Sequence, residues 1–297
     1  MKHDAIIIGG GFAGLAAATY LARARRTVCV IDTGQPRNRF ASASHGFLGQ
    51  DGKNPRQILA TAREQLLAYS TVRMTGAEAT KAQMRDDGFG VSLASGETIK
   101  GHKVILAFGL IDELPDIPGL AERWGETVLH CPYCHGIEFA DRELGVLYRT
   151  PMSVHQACLI TEWGPTTLYL DGASLNEAEA LTLAARGVKV TAPKVTRLVG
   201  EGPALSAIEL DDGDSGALAA LYISPRSRLA SPLAGQLDVE IDDGPLGPVI
   251  RTGPDKMSSV AGVYAAGDIA RASHSISWAV ADGVTAGTSA HHALVFG

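Results

Sequence analysis

The sequence predicts an α/β protein that consists of two three-layer domains. Two observations carry this prediction. A strand, a glycine-rich turn, a helix and another strand follow one another within residues 4–32, and a second strand–helix–strand unit is predicted within residues 144–171. Such alternation builds parallel sheets covered by helices, so we interpret both domains as Rossmann-like domains of the nucleotide-binding type.

The composition agrees with a chain that buries a sizeable core. Of the 297 residues, 45% are hydrophobic and 20% are charged. The net charge of −6 gives no attraction to polyanions, so we expect neither nucleic acid nor membrane as a partner. Residues 5–22 carry no charge, but they are rich in Gly and Ala and follow Asp4. We therefore interpret them as a strand, turn and helix rather than an export signal, and predict a soluble, cytoplasmic protein.

The first unit carries the G-x-G-x-x-G pattern of dinucleotide-binding turns. The predicted strand, helix and second strand occupy residues 4–8, 15–25 and 27–31. Gly9 would make the tight turn, Gly11 would let backbone amides approach a pyrophosphate, and Gly14 would let the helix pack closely on the strand. Asp32 would accept a hydrogen bond from a ribose hydroxyl. The pattern leaves open whether the ligand is FAD or NAD, and a turn without any ligand is the alternative.

A second candidate cofactor segment lies near the end of the sequence. A strand ends at Gly267 and Asp268, and a helix is predicted over residues 277–296. An acid at this junction could bond a cofactor hydroxyl while the helix N-terminus faces the polar edge of a ring. An ordinary strand-to-helix turn is the alternative.

Cys131 and Cys134 form a C-x-x-C motif next to two histidines, His130 and His135. Two thiols at this spacing can close a disulfide on the first turn of a helix, where the pKa of a thiolate is lowered. Pro132 suits the first helical position because it needs no backbone N–H there. Redox chemistry is therefore the favoured interpretation.

The cysteine pair has three other interpretations: haem attachment, a zinc site and buried thiols. C-x-x-C-H is the attachment pattern of c-type haem, which requires an export that we do not expect. Zinc could use the two cysteines with His130 and His135, but adjacent ligands rarely close on one ion and no second pair completes the set, so we expect no metal. The pair could also be buried thiols without a role.

These motifs together resemble the low-molecular-weight thioredoxin reductase family of FAD-dependent disulfide oxidoreductases. The matching segments are residues 8–14, 104–109, 131–134 and 263–268, and their order and spacing cover essentially the whole chain. The resemblance implies FAD as the cofactor. The residues that it implies for FAD binding are Gly9, Gly11, Phe12, Ala13, Gly14, Asp32, Gly109, Gly267, Asp268, Trp278 and Ala279.

The resemblance also implies roles and partners. Cys131 would exchange with the outside disulfide, and Cys134 would face the flavin. The substrate would be a dithiol or disulfide, either a small molecule or a thioredoxin-like protein, and the protein would be a homodimer. The family usually has Asp after the second cysteine, whereas His135 stands here, as in a C-x-x-C-H-G branch that includes flavin dithiol oxidases. We expect His135 to be the general acid/base. Glu138 is a weaker candidate for this role, and a solvated helix residue is the favoured interpretation of it.

The second nucleotide site is predicted to be degenerate. The resemblance places an NADPH-type domain at residues 114–232, between the FAD-domain halves 1–113 and 233–297. The turn after its first strand contains no glycine, so side chains would stand where backbone should meet a pyrophosphate. The second strand ends at Asp171, and no Arg or Lys follows until Arg186, so a 2′-phosphate would meet an acid without a basic clamp.

We therefore expect an FAD-dependent dithiol–disulfide oxidoreductase that does not use NADPH. Electrons could flow from a dithiol through the cysteine pair and FAD to O₂, or from another donor through FAD to a disulfide. An ordinary NADPH-dependent enzyme of the thioredoxin reductase type and a non-catalytic flavin sensor or scaffold are the alternatives.

Overall fold

The chain folds into two compact units, as seen in a computed structural model that describes residues 2–297. The first unit contains the residues up to Arg39 together with Pro55–Ile111 and Ser227–Gly297. The second unit contains Phe40–Asn54 and Asp112–Arg226. Parallel sheets with helices occur in both units, which confirms the predicted α/β class.

The strands, in chain order, are β1 (Lys2–Ile8), β2 (Val28–Asp32), β3 (Val72–Gly76), β4 (Ala79–Arg85), β5 (Gly88–Leu93), β6 (Thr98–Leu106), β7 (Leu110–Asp112), β8 (Val128–Leu129), β9 (Leu144–Leu147), β10 (Thr166–Tyr169), β11 (Lys189–Thr191), β12 (Val195–Glu201), β13 (Ala204–Leu210), β14 (Ser215–Ala217), β15 (Ala220–Ile223), β16 (Ser227–Leu229), β17 (Ile241–Gly244), β18 (Gly247–Ile250) and β19 (Val263–Ala265). The α-helices are α1 (Phe12–Arg23), α2 (Pro55–Leu67), α3 (Pro132–His135), α4 (Met152–Ile160), α5 (Glu177–Ala185), α6 (Leu233–Gln236) and α7 (Ile276–Phe296). Within residues 2–297, no helix combines the length and the apolar character needed to cross a bilayer.

The main sheet of the first unit gathers the predicted cofactor segments at one edge. Its strand order is β3-β2-β1-β6-β5-β4, and β19 pairs with the second half of β6. The strands β1, β2, β3, β6 and β19 are parallel. Ile8 lies opposite both Ile31 and Leu106, and Leu106 lies opposite Ala265. The turns that follow these strands therefore leave the sheet side by side, where open parallel sheets bind ligands.

Two cores cover the faces of this sheet. Alternate residues of β1 supply both of them, because successive side chains of a strand point to opposite faces. Ile6 and Ile8 pack into the cluster formed with β4, β5 and α6, whereas Ala5 and Ile7 pack into the cluster formed with α1 and α7. The first unit is therefore layered, with the sheet between the two clusters.

The second unit has a parallel sheet with the strand order β11-β10-β9-β15-β8. Val146 of β9 packs with residues of α4 and α5, and Leu147 packs with residues of the antiparallel sheet β12-β13-β14. This unit is therefore also built in three layers, but one outer layer is a sheet instead of helices.

Phe40–Asn54 belongs to the second unit, whereas the sequence placed it in the first domain. Ser42 Oγ donates a hydrogen bond of 3.0 Å to Glu126 Oε2. Gly125 approaches Phe40 so closely that a Cβ built on this glycine would lie 2.8 Å from the Phe40 Cβ. These contacts join residues that are far apart in the sequence, so no local sequence pattern predicts them.

Helices α1 and α7 pack closely, because glycines of α7 lie directly against the backbone of α1. A Cβ built on Gly283 of α7 would collide with the carbonyl oxygen of Ala13, and one on Gly287 would lie 2.7 Å from the carbonyl oxygen of Ala17. Both glycines therefore occupy positions where α1 leaves no room for a methyl group. The Ala-rich composition of α1 permits the same close approach from its side.

We predict that Gly283→Ala lowers the free energy of unfolding by about 1–3 kcal/mol, because the added methyl group forces the two helices apart. Gly235→Ala in α6 is the matched control, since no atom lies within 4 Å of a Cβ at that position. The control should stabilise by about 0.5–1 kcal/mol through helix propensity. Urea unfolding followed by circular dichroism measures both values, and equal effects of the two substitutions would contradict this account.

Candidate functional site

Gly9 and Gly14 shape the turn that precedes α1. Gly9 has φ = +110°, a conformation that favours glycine. A Cβ on Gly9 would collide with the carbonyl oxygen of Ala107, and a Cβ on Gly14 would collide with the carbonyl oxygen of Gly9. The first turn of α1 therefore packs directly against β1 and β6.

Gly11 differs from these two glycines because the space around it is open. It caps α1 with φ = −80° and ψ = −168°, and no atom lies within 4 Å of a Cβ built there. Phe12 and Ala13 begin the helix behind it. The space in front of the helix N-terminus is therefore open, and it is the place where a pyrophosphate lies in dinucleotide sites.

The late Gly-Asp segment meets this turn. Gly267 has φ = +81°, and a Cβ on it would lie 3.0 Å from the Cβ of Ala13. Asp268 follows it directly, and Gly109, with φ = +75°, follows the neighbouring strand β6. The structure therefore brings together predicted cofactor residues from the two ends of the first unit.

Two arginines that the sequence analysis missed contact the predicted acids. Arg63 Nη2 in α2 donates to Asp32 Oδ2 at 2.7 Å and to the carbonyl oxygen of Gly10 at 3.2 Å. Arg37 Nη1 donates to Asp268 Oδ2 at 2.9 Å. A carboxylate has about four lone-pair sites, so each acid keeps acceptor capacity for a ligand hydroxyl. No sequence motif marks either arginine.

The start of α7 is organised by a side-chain cap. Ser275 Oγ accepts a hydrogen bond of 3.1 Å from the backbone N–H of Trp278. The Trp278 side chain is half exposed, and the Arg271 guanidinium carbon lies 4.7 Å from the centre of its ring. Ala279 is partly buried beside the cluster that α1 and α7 share. The open space in front of α1, the two acids and the capped α7 together fit a bound dinucleotide such as FAD.

The cysteine pair lies in the second unit. Cys131 and Cys134 form a disulfide with a Cα–Cα distance of 5.3 Å. Cys131 is the N-cap residue of α3, and Pro132 occupies the first helical position. The helix comprises only Pro132–His135, and a 3₁₀ turn over Ile137–Phe139 follows it. The pair is therefore held on one short turn.

His135 is held in a largely buried position beside Cys134. The Tyr222 hydroxyl donates a hydrogen bond of 3.2 Å to the His135 carbonyl oxygen. Burial lowers the pKa of His135 from its ordinary value of 6.5, and the nearby His45 lowers it further, while Glu138 and Glu126 oppose the shift. The His135 imidazole is therefore neutral at pH 7 and can accept a proton.

Glu138 and His45 lie close to His135, and Glu138 is exposed, as the sequence predicts. The Glu138 Oε1 is 3.4 Å from His45 Nε2, and 34% of the Glu138 side chain is exposed. The rings of His45 and His135 meet edge to face, with centres 5.7 Å apart. Glu138 belongs to this group because the 3₁₀ turn after α3 points it back towards the loop that carries His45.

These three residues were also considered as metal ligands. Their donor atoms lie within 4.8 Å of one another. A tetrahedral zinc site has bonds of about 2.0–2.2 Å, which place neighbouring donors about 3.5 Å apart. The 3.4 Å between His45 Nε2 and Glu138 Oε1 matches that spacing. The absence of a bound metal stays a prediction.

The turn after β9 has a different hydrogen-bond pattern from the turn after β1. The fully buried Ser153 Oγ accepts hydrogen bonds from the backbone N–H groups of Arg149 at 3.0 Å and Thr150 at 3.4 Å. Arg149 Nη1 pairs with Asp171 Oδ2 at 3.2 Å, at the end of the neighbouring strand β10. The turn amides and the terminal acid thus already have partners within the second unit.

Comparison with known proteins gives a consistent picture. A family model described as pyridine nucleotide-disulphide oxidoreductase matches residues 3–283. Thioredoxin reductase sirT of Leptosphaeria maculans is 34% identical, covering 96% of this chain and 92% of its own length. Thioredoxin reductase tcpT of Claviceps purpurea is 35% identical, covering 98% of this chain and 94% of its own length.

Solved structures agree with these relatives. An oxidoreductase from Agrobacterium tumefaciens is 42% identical and has a TM-score of 0.94, covering 100% of this chain and 99% of that one. The crystal structure of HlmI is 36% identical and has a TM-score of 0.93, covering 99% of this chain and 93% of that one.

We predict that Gly11→Val produces a folded protein that does not retain FAD. The backbone at Gly11 accepts any residue, and the added side chain would fill only the open space in front of α1. Absorbance of the purified protein near the flavin band measures retention. Gly235→Val is the matched control at another uncrowded glycine. Retention of FAD by the Gly11 variant at the level of the control would show that the pyrophosphate lies elsewhere.

Proposed function

The chain belongs to the pyridine nucleotide-disulphide oxidoreductase family, and from this we propose that its Cys131–Cys134 pair exchanges electrons between a dithiol and FAD without depending on NADPH. Membership of the family makes the protein a thioredoxin reductase-like, FAD-dependent oxidoreductase that acts on disulfides. The independence from NADPH and the dithiol substrate are the parts that we propose here.

The hydrogen bonds of Ser153 are the observation that carries the proposal. A pyrophosphate binds a turn of this kind through free backbone N–H groups, and glycine lets it come close enough. In the turn after β9, Ser153 Oγ is already bonded to the N–H groups of Arg149 and Thr150. A nucleotide would have to displace a fully buried hydroxyl, and an unpaired buried donor costs about 1–3 kcal/mol.

The charges beside this turn support the same conclusion. A 2′-phosphate bound at the end of β10 would need a cation to hold it. Among residues 2–297, Arg149 is the cation whose ion pair with Asp171 places it there, and this pairing already engages its charge. Asp171 also accepts a hydrogen bond of 3.0 Å from the backbone N–H of Val195. Neither group is therefore set up to receive a phosphate.

The proposed reaction begins with thiol–disulfide exchange. One substrate thiol loses its proton and attacks Cys131, so that a mixed disulfide forms and the Cys134 thiolate leaves. The second substrate thiol then attacks the mixed disulfide, which releases the oxidised substrate and the Cys131 thiolate. Two electrons have moved from the substrate to the enzyme cysteines, and the two S–H protons have been given to bases or to the new thiols.

His135 is the base that we assign to this step. Its neutral imidazole at pH 7 can take a proton from a thiol and return it later. When bound, FAD supplies a two-electron acceptor that reoxidises the cysteine pair. In the oxidase direction O₂ takes the two electrons and two protons and becomes H₂O₂. In the reductase direction another donor supplies the electrons, and the cysteine pair reduces a disulfide substrate.

The proposal includes two further statements. We expect a homodimer from the resemblance alone, and a cytoplasmic location from the interpretation of residues 5–22 as a strand, turn and helix. The substrate is either a small dithiol or a thioredoxin-like protein. An NADPH-dependent thioredoxin reductase activity and a non-catalytic flavin sensor are the alternatives that the following experiment separates from it.

We predict that dithiothreitol bleaches the flavin absorbance of the purified protein near 450 nm under anaerobic conditions, whereas NADPH and NADH do not. Admission of air should then restore the absorbance and produce H₂O₂ if the flow is outward. Dithiol bleaching that air does not reverse would assign the reductase direction. Stoichiometric bleaching by NADPH would overturn the proposal, and a flavin that no reagent bleaches would favour the sensor.

We predict that Cys134→Ser abolishes flavin bleaching by dithiol, because the enzyme cysteines can then no longer hold the electron pair as a dithiol. Cys158→Ser is the matched control, since Cys158 is a free thiol in α4 of the same unit. Anaerobic stopped-flow absorbance compares the two variants. An unchanged rate in the Cys134 variant would refute the role of the pair.

A further inference from the structure

We propose that His45 is a positioning residue that passes protons between His135 and the solvent-facing carboxylates Glu138 and Asp51. This inference rests on the proposed function, because it concerns the protons that thiol oxidation releases. It assigns a role to a residue outside the C-x-x-C-H-G motif, carried by a segment far from that motif in the sequence.

The geometry places His45 between the base and the carboxylates. The rings of His45 and His135 are nearly perpendicular, with an interplanar angle of 87° and centres 5.7 Å apart. His45 Nε2 lies 3.4 Å from Glu138 Oε1, and His45 Nδ1 lies 3.7 Å from Asp51 Oδ2. Each ring nitrogen of His45 thus has a carboxylate near it, and small movements bring either into hydrogen-bond range.

Exposure rises from the two imidazoles to Asp51. His135 and His45 are both partly buried, with 20% of the His45 side chain exposed, whereas the Asp51 side chain is 71% exposed. A proton that reaches His135 from a thiol therefore has a path to water through side chains that can each take and release it.

The loop that carries His45 is closed by its own hydrogen bonds. The backbone N–H of Ser44 donates to the Lys53 carbonyl oxygen at 2.8 Å, and that of Gly52 donates to the Ser44 carbonyl oxygen at 2.9 Å. The backbone N–H of Gly46 donates to Asp51 Oδ1 at 2.8 Å. These bonds hold Asp51 beside His45 and keep the imidazole in one place.

Charged groups surround the two imidazoles. Glu138, Asp51 and Glu126 are the carboxylates that face the pair, and Glu138 and Glu126 oppose the lowering of the His135 pKa by burial and by His45. A positive charge that appears on His135 during proton transfer is therefore met by nearby carboxylates.

The test uses His45→Asn in the FAD-loaded protein, with His155→Asn as the matched control on the exposed face of α4. We expect anaerobic flavin reduction by dithiothreitol at pH 7 to slow by about tenfold or more, a part of what general acid–base catalysis contributes. Added imidazole should restore the rate. Equal FAD content and melting temperature in both variants would exclude a purely structural loss.

The pH dependence gives a second, independent readout. The His45 imidazole holds the pKa of His135 down, so its removal should raise that pKa. The acid limb of the reduction rate should then move to higher pH, and histidine NMR titration of the oxidised holoenzyme should show the same shift. An unchanged His135 titration together with an unchanged rate would overturn the inference. A wild-type protein that dithiol does not reduce would contradict the proposed function instead, and the NMR comparison would still decide the coupling of the two histidines.

Discussion

Close backbone packing around Ala13 is the constraint on which the first unit depends. Gly14, Gly267 and Gly283 each approach this region so closely that a Cβ would meet backbone or the Ala13 side chain. The start of α1 and the segments around Gly267 and Gly283 can therefore pack together only because these glycines carry no side chains. The same packing places the start of α1 beside Asp268. The packing of the core therefore also determines the shape of the candidate dinucleotide site.

The two strand-to-helix turns have the same topology but differ in whether a side chain of the protein bonds the turn amides. In the turn before α1, no side chain caps the helix and Gly11 leaves the space in front of it open, so a ligand can be the partner of this helix end. In the turn before α4, Ser153 supplies that partner from within the protein. A buried hydroxyl that already bonds the turn amides is the reason why we propose that the second unit keeps its sheet without keeping a nucleotide site.

Much of this arrangement could be predicted from local patterns, because a strand, a helix and a glycine turn each leave a signature within a few residues. The start of α7 at Ile276 and the pairing of β1 with β2 follow from such patterns. Arg63 and Arg37 could not be predicted, since their partners Asp32 and Asp268 are brought to them only by tertiary packing. For the same reason the sequence misplaced Phe40–Asn54, whose contacts with the second unit involve residues about 80 or more positions away.

The segment that was misplaced has a chemical consequence. A cysteine pair on a one-turn helix has few neighbours of its own, because α3 ends at His135 and the next residues turn away. Phe40–Asn54 adds His45 and Asp51 to this neighbourhood from outside the motif. The acid–base environment of the disulfide is then set by the second unit, whereas the cofactor segments are set by the glycine packing of the first. The contacts around the disulfide and the contacts around the cofactor segments share no residue. A change in the electron donor or acceptor of the cofactor therefore does not require a change in the acid–base groups around the disulfide. The proposed loss of the nucleotide turn is therefore compatible with the proposed role of the cysteine pair in oxidising or reducing thiols.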